Sequence, residues 1–362
     1  MLPQQLKPYQ NSILSWYLKY KRELPWRLTG DPYLIWISEV MLQQTQVISA
    51  IPYYQRFVKK FPTISDLANS DLQSLLKLWE GLGYYSRARN LRKASRFIMD
   101  DYQGLFPETN QELIKLPGIG PYIAAAVSSI AFNLPFAVVD GNVKRVLSRL
   151  YCDPSPVNDS KYYKNYQTIA DQLLVLDQPG DYNQAIMELG ALICRPKQPD
   201  CLQCPVSAFC QAFGQNQTAK YPFRVKKKKV KTKKMISFIL EHRNRLLMVQ
   251  NKENGLLGGL WTFPQYEKKR IESFDDILEK IIPFKSDKNK LLLVQLEPVN
   301  HIYTHFKENI LPIIIKIDSE KILISPSKKS EWYAPTQIKK IPITGACQKI
   351  LGLYQKYHTQ HL

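Results

Sequence analysis

An all-α domain followed by a smaller α+β domain is what this sequence predicts, on three observations. Apolar residues recur at helical spacing through the first 218 residues, composition breaks into a lysine run between Ala219 and Lys234, and strand-like stretches set in after Met235. The helical part carries one-sided stripes at Ile13-Leu14-Trp16-Tyr17, Ile48-Ile51-Tyr54-Phe57 and Leu72-Leu75-Leu76-Trp79. Pro25, Pro32, Pro62, Pro107 and Pro135 punctuate it, and Ser65, Ser70 and Thr109 stand where N-caps are expected. Past the lysines, Ile236 to Leu240 and Leu246 to Val249 flank an Arg243-Asn244 turn as a hairpin. Strands are also expected at 291–296 and 310–317, and helices at 273–282 and 344–357. The expected boundaries are a helical domain 1–218, a basic linker 219–234 and an α+β domain 235–362.

The chain of 362 residues is long enough to bury more than one core, and 44% apolar with 11% aromatic residues excludes a mostly disordered basic tail. A net charge of +19 points to a polyanionic partner, nucleic acid first. No apolar run is long enough to span a bilayer, and Met1-Leu2-Pro3-Gln4-Gln5 lacks a signal peptide's apolar core. The expectation is a soluble, intracellular protein with no membrane partner. In the linker, the lysines serve as a solvated tether or as extra sequence-independent contact with phosphates.

Leu116-Pro117-Gly118-Ile119-Gly120, followed by Pro121-Tyr122, is the stretch that suggests what the helical domain grips. Thr109 and Glu112 fit a capping box for one helix, and Pro121 suits the first position of the next. Gly118 and Gly120 between them let backbone N–H groups approach a phosphate at a helix N-terminus. An isolated GxG is otherwise an ordinary helix stop.

Two carboxylates then invite a chemical reading. Glu39 lies in Trp36-Ile37-Ser38-Glu39-Val40-Met41-Leu42, where desolvation raises a carboxyl pKa toward that of a general acid working near neutrality. The alternative is a glutamate serving a helix dipole. Gln43 and Gln44 add amides able to pair with base edges. Asp140 follows Val138-Val139 and precedes the amphipathic segment 143–150, so it is an N-cap, an ionised stabiliser of developing positive charge, or both. A protonated Glu39 with an ionised Asp140 is an arrangement that cleaves glycosidic bonds through an oxocarbenium-like state.

Cys194-x6-Cys201-x2-Cys204-x5-Cys210 supplies four thiolates from a proline-rich loop, a metal signal that leaves zinc or a [4Fe-4S] cluster open. Arg195 and Lys197 within the loop could meet phosphate, while Cys152 and Cys347 read as ordinary buried thiols.

With LPGIGPY, VVDGNV, SEVMLQQT and the cysteine quartet in this order, the first 215 residues or so resemble the helix-hairpin-helix DNA glycosylases related to endonuclease III, and the chain looks like the MutY-type adenine DNA glycosylases among them. That resemblance implies a six-helix barrel at about 24–132, and a cluster lobe of 1–23 with 133–218 in which Cys194, Cys201, Cys204 and Cys210 hold a [4Fe-4S] cluster. It further implies a Nudix-like C-terminal domain that reads 8-oxoguanine opposite the target adenine. The expected partner is duplex DNA with adenine:8-oxoguanine or adenine:guanine mispairs, acted on by a monomer in a bacterial-type cytoplasm, at the nucleoid.

Relatives that cleave the DNA strand carry a lysine at the second position after the hairpin's last glycine, and here that position is Tyr122, which cannot form a Schiff base. A monofunctional glycosylase is expected, with Tyr122 and Asn142 supporting Asp140. By resemblance Glu39 protonates a flipped adenine at N7 and Asp140 stabilises or transiently captures the oxocarbenium ion. Tyr84 is the wedge beside the mispaired base, Gln44 and Leu42 fill the vacated space, and Trp26, Arg27 and Gln184 lie near the adenine pocket. Tyr303-Thr304-His305 stands where the family has Phe-Ser-His, keeping an aromatic face and a hydroxyl. The Nudix box is missing after Gly258-Gly259-Leu260-Trp261, so pyrophosphate hydrolysis is not expected. Two rivals remain at this stage: a pyrimidine-damage glycosylase/lyase of the endonuclease III type, and a catalytically silent DNA-binding iron-sulfur protein.

Overall fold

The computed structural model describes residues 2–226, 230–268, 292–303, 306–317 and 329–361. The helix expected at 273–282, Leu291 of an expected strand, and Thr304 and His305 lie outside those residues. Helices run in order as α1 (Pro3–Tyr20), α2 (Pro32–Leu42), α3 (Val47–Lys60), α4 (Ile64–Ala68), α5 (Leu72–Leu78), α6 (Ser86–Asp101), α7 (Asn110–Lys115), α8 (Pro121–Phe132), α9 (Gly141–Tyr151), α10 (Tyr163–Leu173), α11 (Pro179–Leu192) and α12 (Gln211–Gly214). The chain divides into two compact units, one of Met1–Asn69 with Asn90–Lys227, the other of Ser70–Arg89 with Lys228–Leu362. The segment 70–89, expected within the helical domain, therefore groups with the C-terminal residues.

Some helix starts in the first unit follow side-chain chemistry, though not always at the expected residue. Thr63, not Ser65, caps α4: its hydroxyl accepts from Asp66 N–H at 3.2 Å while Asp66 answers the Thr63 N–H at 3.1 Å. At α7 the capping box is half formed, because Thr109 Oγ1 accepts from Glu112 N–H at 3.3 Å but Glu112 Oε2 takes the Thr109 hydroxyl instead of its amide. The α3 stripe is Ala50, Tyr54 and Phe57, while Ile48 is 82% exposed. Two residues advance a helix about 200°, which turns Ile48 away from the face that Ala50 buries.

Between α7 and α8 the chain reverses through Gly118 at φ 80°. A Cβ there would stand 2.6 Å from Asn90 Cβ, so both conformation and space demand glycine. Gly120 then caps α8 in an extended conformation with Pro121 in its first turn. One core of this unit joins Tyr9, Ile13 and Tyr17 of α1 to Val138, Val139, Val143, Leu147, Tyr182 and Leu189. Within it, α11 packs on α1, α8 and α9.

The basic linker expected at 219–234 is shortened from both ends. Asn158 pairs with Val225 in both directions, at 2.9 and 3.0 Å, and Arg149 Nε donates to Thr218 and Tyr221 carbonyls. On the far side, Lys231 to Lys234 already belong to a strand.

The second unit is a mixed sheet of β1 (Lys231–His242), β2 (Arg245–Gln250), β3 (Trp261–Thr262), β4 (Gln265–Glu267), β5 (Leu293–Gln295), β6 (Val299–Ile302), β7 (Phe306–Lys316) and β8 (Ser330–Tyr333). Strand β1 runs parallel to β7 from Lys231↔Phe306 to Glu241↔Lys316 and antiparallel to β2, closed by Arg243 and Asn244 at φ 46° and 59°. The hairpin stands where the sequence places it, and both turn residues take positive φ, a conformation Asn adopts readily and Arg does not by preference. Alternation sends Ile239, Met248, Ile310 and Ile314 to a face covered by the closing helix Gly345–His361, and Phe238, Leu240, Ile313 and Ile315 to the other. Strands buried on both faces read as the continuous apolar runs seen in the sequence.

In the same unit, Ser70–Arg89 is held by named bonds. Asp71, not Ser70, caps α5 by accepting from Ser74 N–H at 2.8 Å, because the aspartate is the residue with extended backbone one step before the helix. Gln73, Glu80 and Arg89 then bond to residues 255–261 and 343.

Candidate active site

A cavity of about 130 Å³ in the first unit gathers eight of the expected residues: Trp26, Arg27, Glu39, Leu42, Tyr122, Asp140, Asn142 and Gln184 all line it. Helix α2 delivers Glu39, the start of α8 delivers Tyr122, and the cap of α9 delivers Asp140 and Asn142. Gln44, at φ 59° just past α2, is exposed and outside the lining, and Gly118 and Gly120 form the separate hairpin. Tyr84 and Tyr303 belong to the other unit.

Glu39 is 5% exposed, and burial pushes its pKa up to about 7, with the Asp140 charge adding to the rise and the Tyr122 hydrogen bond and Arg27 opposing it. Tyr122 donates its hydroxyl to Glu39 Oε2 at 2.5 Å. Burial between two carboxyls holds the Tyr122 phenol well above its ordinary pKa, so it stays a neutral donor. The oxygen facing that donor favours the charge, which leaves Oε1 as the natural seat of the proton.

Asp140 is both cap and cavity residue. Its Oδ1 accepts from Val143 N–H at 2.7 Å and its Oδ2 from Asn142 Nδ2 at 3.1 Å. Burial nevertheless pushes its carboxyl up from the ordinary range, against these two donors and the Arg145 field. The backbone donors moderate desolvation without cancelling it. Asn142 is aligned in turn by Arg145, whose Nη2 donates to Asn142 Oδ1 at 2.9 Å and to Gly190 O at 2.7 Å, and whose Nε donates to Cys194 O at 2.8 Å.

Sequence reasoning missed three residues here. Glu188 is 1% exposed, and its carboxylate takes Arg22 Nη2 at 2.7 Å and Arg27 Nη2 at 2.9 Å, so its pKa falls to about 2 despite burial. Arg22 and Arg27 reach the cavity already committed to this carboxylate. Asn183 is 1% exposed, accepts from Val138 N–H at 3.1 Å and donates to Phe136 O at 2.7 Å, pinning the extended stretch that ends at Asp140. A polar residue among α11's apolar positions was the available signal for Glu188 and Asn183; Arg22 offered none, because its partner lies 166 positions away.

The four cysteines of the loop line a second, smaller cavity together with Arg149 and Phe213. None is in a disulfide, and Arg149 Nη1 donates to Cys194 Sγ at 3.3 Å. Backbone N–H groups of Val206 and Phe213 bond Cys204 and Cys210. Among the described residues no group of three or more His, Cys, Asp or Glu side chains closes on a single-ion site. A thiol quartet around one cavity, with N–H donors and a guanidinium at the sulfurs, has the donor chemistry an iron-sulfur cluster needs.

The family model for the HhH-GPD superfamily of base excision DNA repair proteins matches residues 37–168, and that for the NUDIX domain matches 236–353. An adenine DNA glycosylase of Buchnera aphidicola subsp. Schizaphis graminum is 34% identical over 96% of this chain and 99% of its own. The human adenine DNA glycosylase is 32% identical over 96% of this chain and 74% of its own. The chain belongs to the adenine DNA glycosylases. As a member of that family it hydrolyses N-glycosidic bonds in DNA within base excision repair. Among solved structures, a thermostable thymine-DNA glycosylase matches with a TM-score of 0.54 and 30% identity, covering 59% of this chain and 98% of its own. A non-covalent endonuclease III–DNA complex, at 24% identity, TM-score 0.52, and covering 60% and 98%, shares the fold. The pyrimidine-damage and silent-binder alternatives give way to this family. Among the described residues no helix is long and apolar enough to cross a membrane.

Proposed function

We propose that the chain removes adenine paired with 8-oxoguanine or guanine in duplex DNA, leaving an abasic site without cutting the strand. The observation that carries the reading is a buried Glu39 with a pKa near 7 and a neutral Tyr122 bonded to it, sharing one cavity with Asp140. With a flipped adenine in that cavity, Glu39 donates its proton to N7 and the C1′–N9 bond breaks, its electron pair moving into the base. Asp140, oriented by Val143 N–H and Asn142, stabilises the oxocarbenium ion until water adds at C1′ and gives its proton to the carboxylate that Glu39's donation left, so the products are free adenine and an abasic sugar. Tyr122 offers no amine for an imine, and its raised pKa keeps it from acting as a phenolate. Trp26 and Gln184 line the adenine pocket beside Arg27, which is held in place by its bond to Glu188.

Tyr84 wedges beside the mispair, Gln44 and Leu42 fill the gap, the hairpin glycines 118 and 120 hold phosphate, and Tyr303-Thr304-His305 reads the opposite base. Cys194, Cys201, Cys204 and Cys210 hold a [4Fe-4S] cluster, which when bound supplies a covalent staple and one-electron redox capacity to this loop. The enzyme acts as a monomer in a bacterial-type cytoplasm. The test is single-turnover cleavage of adenine:8-oxoguanine, adenine:guanine and thymine glycol:adenine duplexes, each split with and without alkali. Alkali-dependent cleavage of the adenine strand, abolished in Asp140→Asn, is expected; cleavage at thymine glycol without alkali would overturn the monofunctional reading. Loss of brown colour and iron from Cys204→Ser is the matching check on the cluster.

A further inference from the structure

Tyr84 sits in a turn between α5 and α6 whose backbone is unusual: Gly81, Gly83 and Tyr84 have φ of 99°, 72° and 48°. A tyrosine at positive φ is disfavoured by its own Cβ, so surrounding contacts must impose the shape. Part of the hold is local. Trp79 Nε1 donates to Gly83 O at 3.1 Å, Arg87 Nη2 donates to Leu82 and Gly83 carbonyls at 3.2 and 3.1 Å, and the Arg87 guanidinium lies 5.5 Å from the Tyr84 ring centre.

A further part comes from the loop 255–261 of the same unit. On one flank of the turn, Gln73 Nε2 donates to Gly259 O at 3.0 Å while its Oε1 accepts from Trp261 Nε1 at 2.8 Å. On the other flank, Arg89 donates to Gly258 O at 2.8 Å and to Gly255 O at 2.6 Å. Glu80 Oε1 adds a bond from Ile343 N–H at 2.9 Å. The anchoring loop is itself tightly formed: a Cβ at Gly258 would stand 2.0 Å from Glu253 O, and one at Gly259, where φ is 80°, 2.8 Å from Leu76 Cδ1. This is the Gly258-Gly259-Leu260-Trp261 stretch after which the Nudix box is missing, and its carbonyls face α5 and the start of α6 instead.

We propose that Arg89 and Gln73 are positioning residues for Tyr84: by fastening both flanks of its turn to the loop 255–261, they make the C-terminal residues of this unit the support against which the wedge pushes. This rests on the reading of Tyr84 as the wedge. Opening a base step pushes back on the inserted ring, and a turn fastened at one end only would swing away from the load. Charge-assisted bonds to two carbonyls make Arg89 the stronger of the two anchors.

The experiment uses the full chain and an adenine:8-oxoguanine duplex with 2-aminopurine beside the target adenine, whose fluorescence rises as its neighbour unstacks. Arg89→Ala should slow that rise at least about tenfold, the low end for losing even one of its two charge-assisted hydrogen bonds. Arg89→Lys should recover part of the rate, and Arg89→Ala should add nothing in a Tyr84→Ala background. Gln73→Met, which keeps the side-chain length and removes both amide bonds to the loop, should act in the same direction and serves as the probe if Arg89→Ala fails to fold. An unchanged rise in the foldable variants overturns the proposal, as does an equal further loss in the Tyr84→Ala background, which would mark Arg89 as general support. A Tyr84→Ala variant that unstacks at the wild-type rate removes the wedge reading, and the proposal falls with it.

Discussion

A carboxyl that titrates near pH 7 in the folded chain and near the ordinary glutamate value when unfolded binds its proton more tightly in the native state between those limits. Glu39 is such a group, so its contribution to stability is fully present below the unfolded pKa and is lost as pH rises through about 7. Above that, native Glu39 costs roughly 3 kcal/mol of stability. Glu39→Gln keeps an acceptor for Tyr122 and carries no charge to desolvate. The variant should therefore melt well above the wild type at pH 8 and near it at pH 5, while its cleavage rate falls by at least about a hundredfold. A melting difference independent of pH would refute the assignment.

Glu188 shows the opposite sign. Its native pKa of about 2 lies below the unfolded value, so its stabilisation is present above the unfolded pKa and is lost as pH falls through that window toward 2. Arg22 keeps 31% of its side chain in water, so Glu188→Gln should cost about 3 kcal/mol, the lower end for a broken buried pair. Urea unfolding at pH 7 measures it, and the gap to wild type should close in acid.

Between elements, the close approach of α11 to α9 depends on Gly190, where a Cβ would stand 2.7 Å from Asn142 Cβ and 3.3 Å from its Cα. Gly190→Ala must push the start of α9, and with it Asp140 and Asn142, away from the helix that carries Glu188. The expected cost is about 1–3 kcal/mol in stability, with a drop in single-turnover rate larger than the drop in DNA affinity. Equal losses in rate and affinity would argue against a displaced Asp140. Elements were legible where local chemistry is self-sufficient: the Thr109 cap, the Pro121 helix start, the Arg243-Asn244 hairpin and the amphipathic α9 all read directly from residue order. They were misread where two neighbouring residues could each cap a helix, as with Thr63 against Ser65 and Asp71 against Ser70. Which one takes the extended backbone depends on where the helix axis must point.

For the whole molecule, a net charge of +19 makes binding to undamaged duplex largely a matter of counterion release. The affinity should fall with salt along a log–log slope of about −5 or steeper, as roughly six phosphate contacts require. A slope near −2 would mean that the basic surface does not track the DNA backbone.

Residue order alone determined the helical and mixed α/β halves, the hairpin, the two carboxylates and the thiol quartet, because each is written within a few positions, where periodicity, capping and ligand spacing act. Chain folding decided everything that joins distant positions. It brought Tyr122 to Glu39 across 83 residues and Arg22 to Glu188 across 166. It drew the expected linker onto Asn158 at one end and into β1 at the other, and it put residues 70–89 in the same unit as the loop 255–261. Such pairings arise when buried polar groups find partners during packing, and linear spacing carries no trace of which distant residue will be the partner.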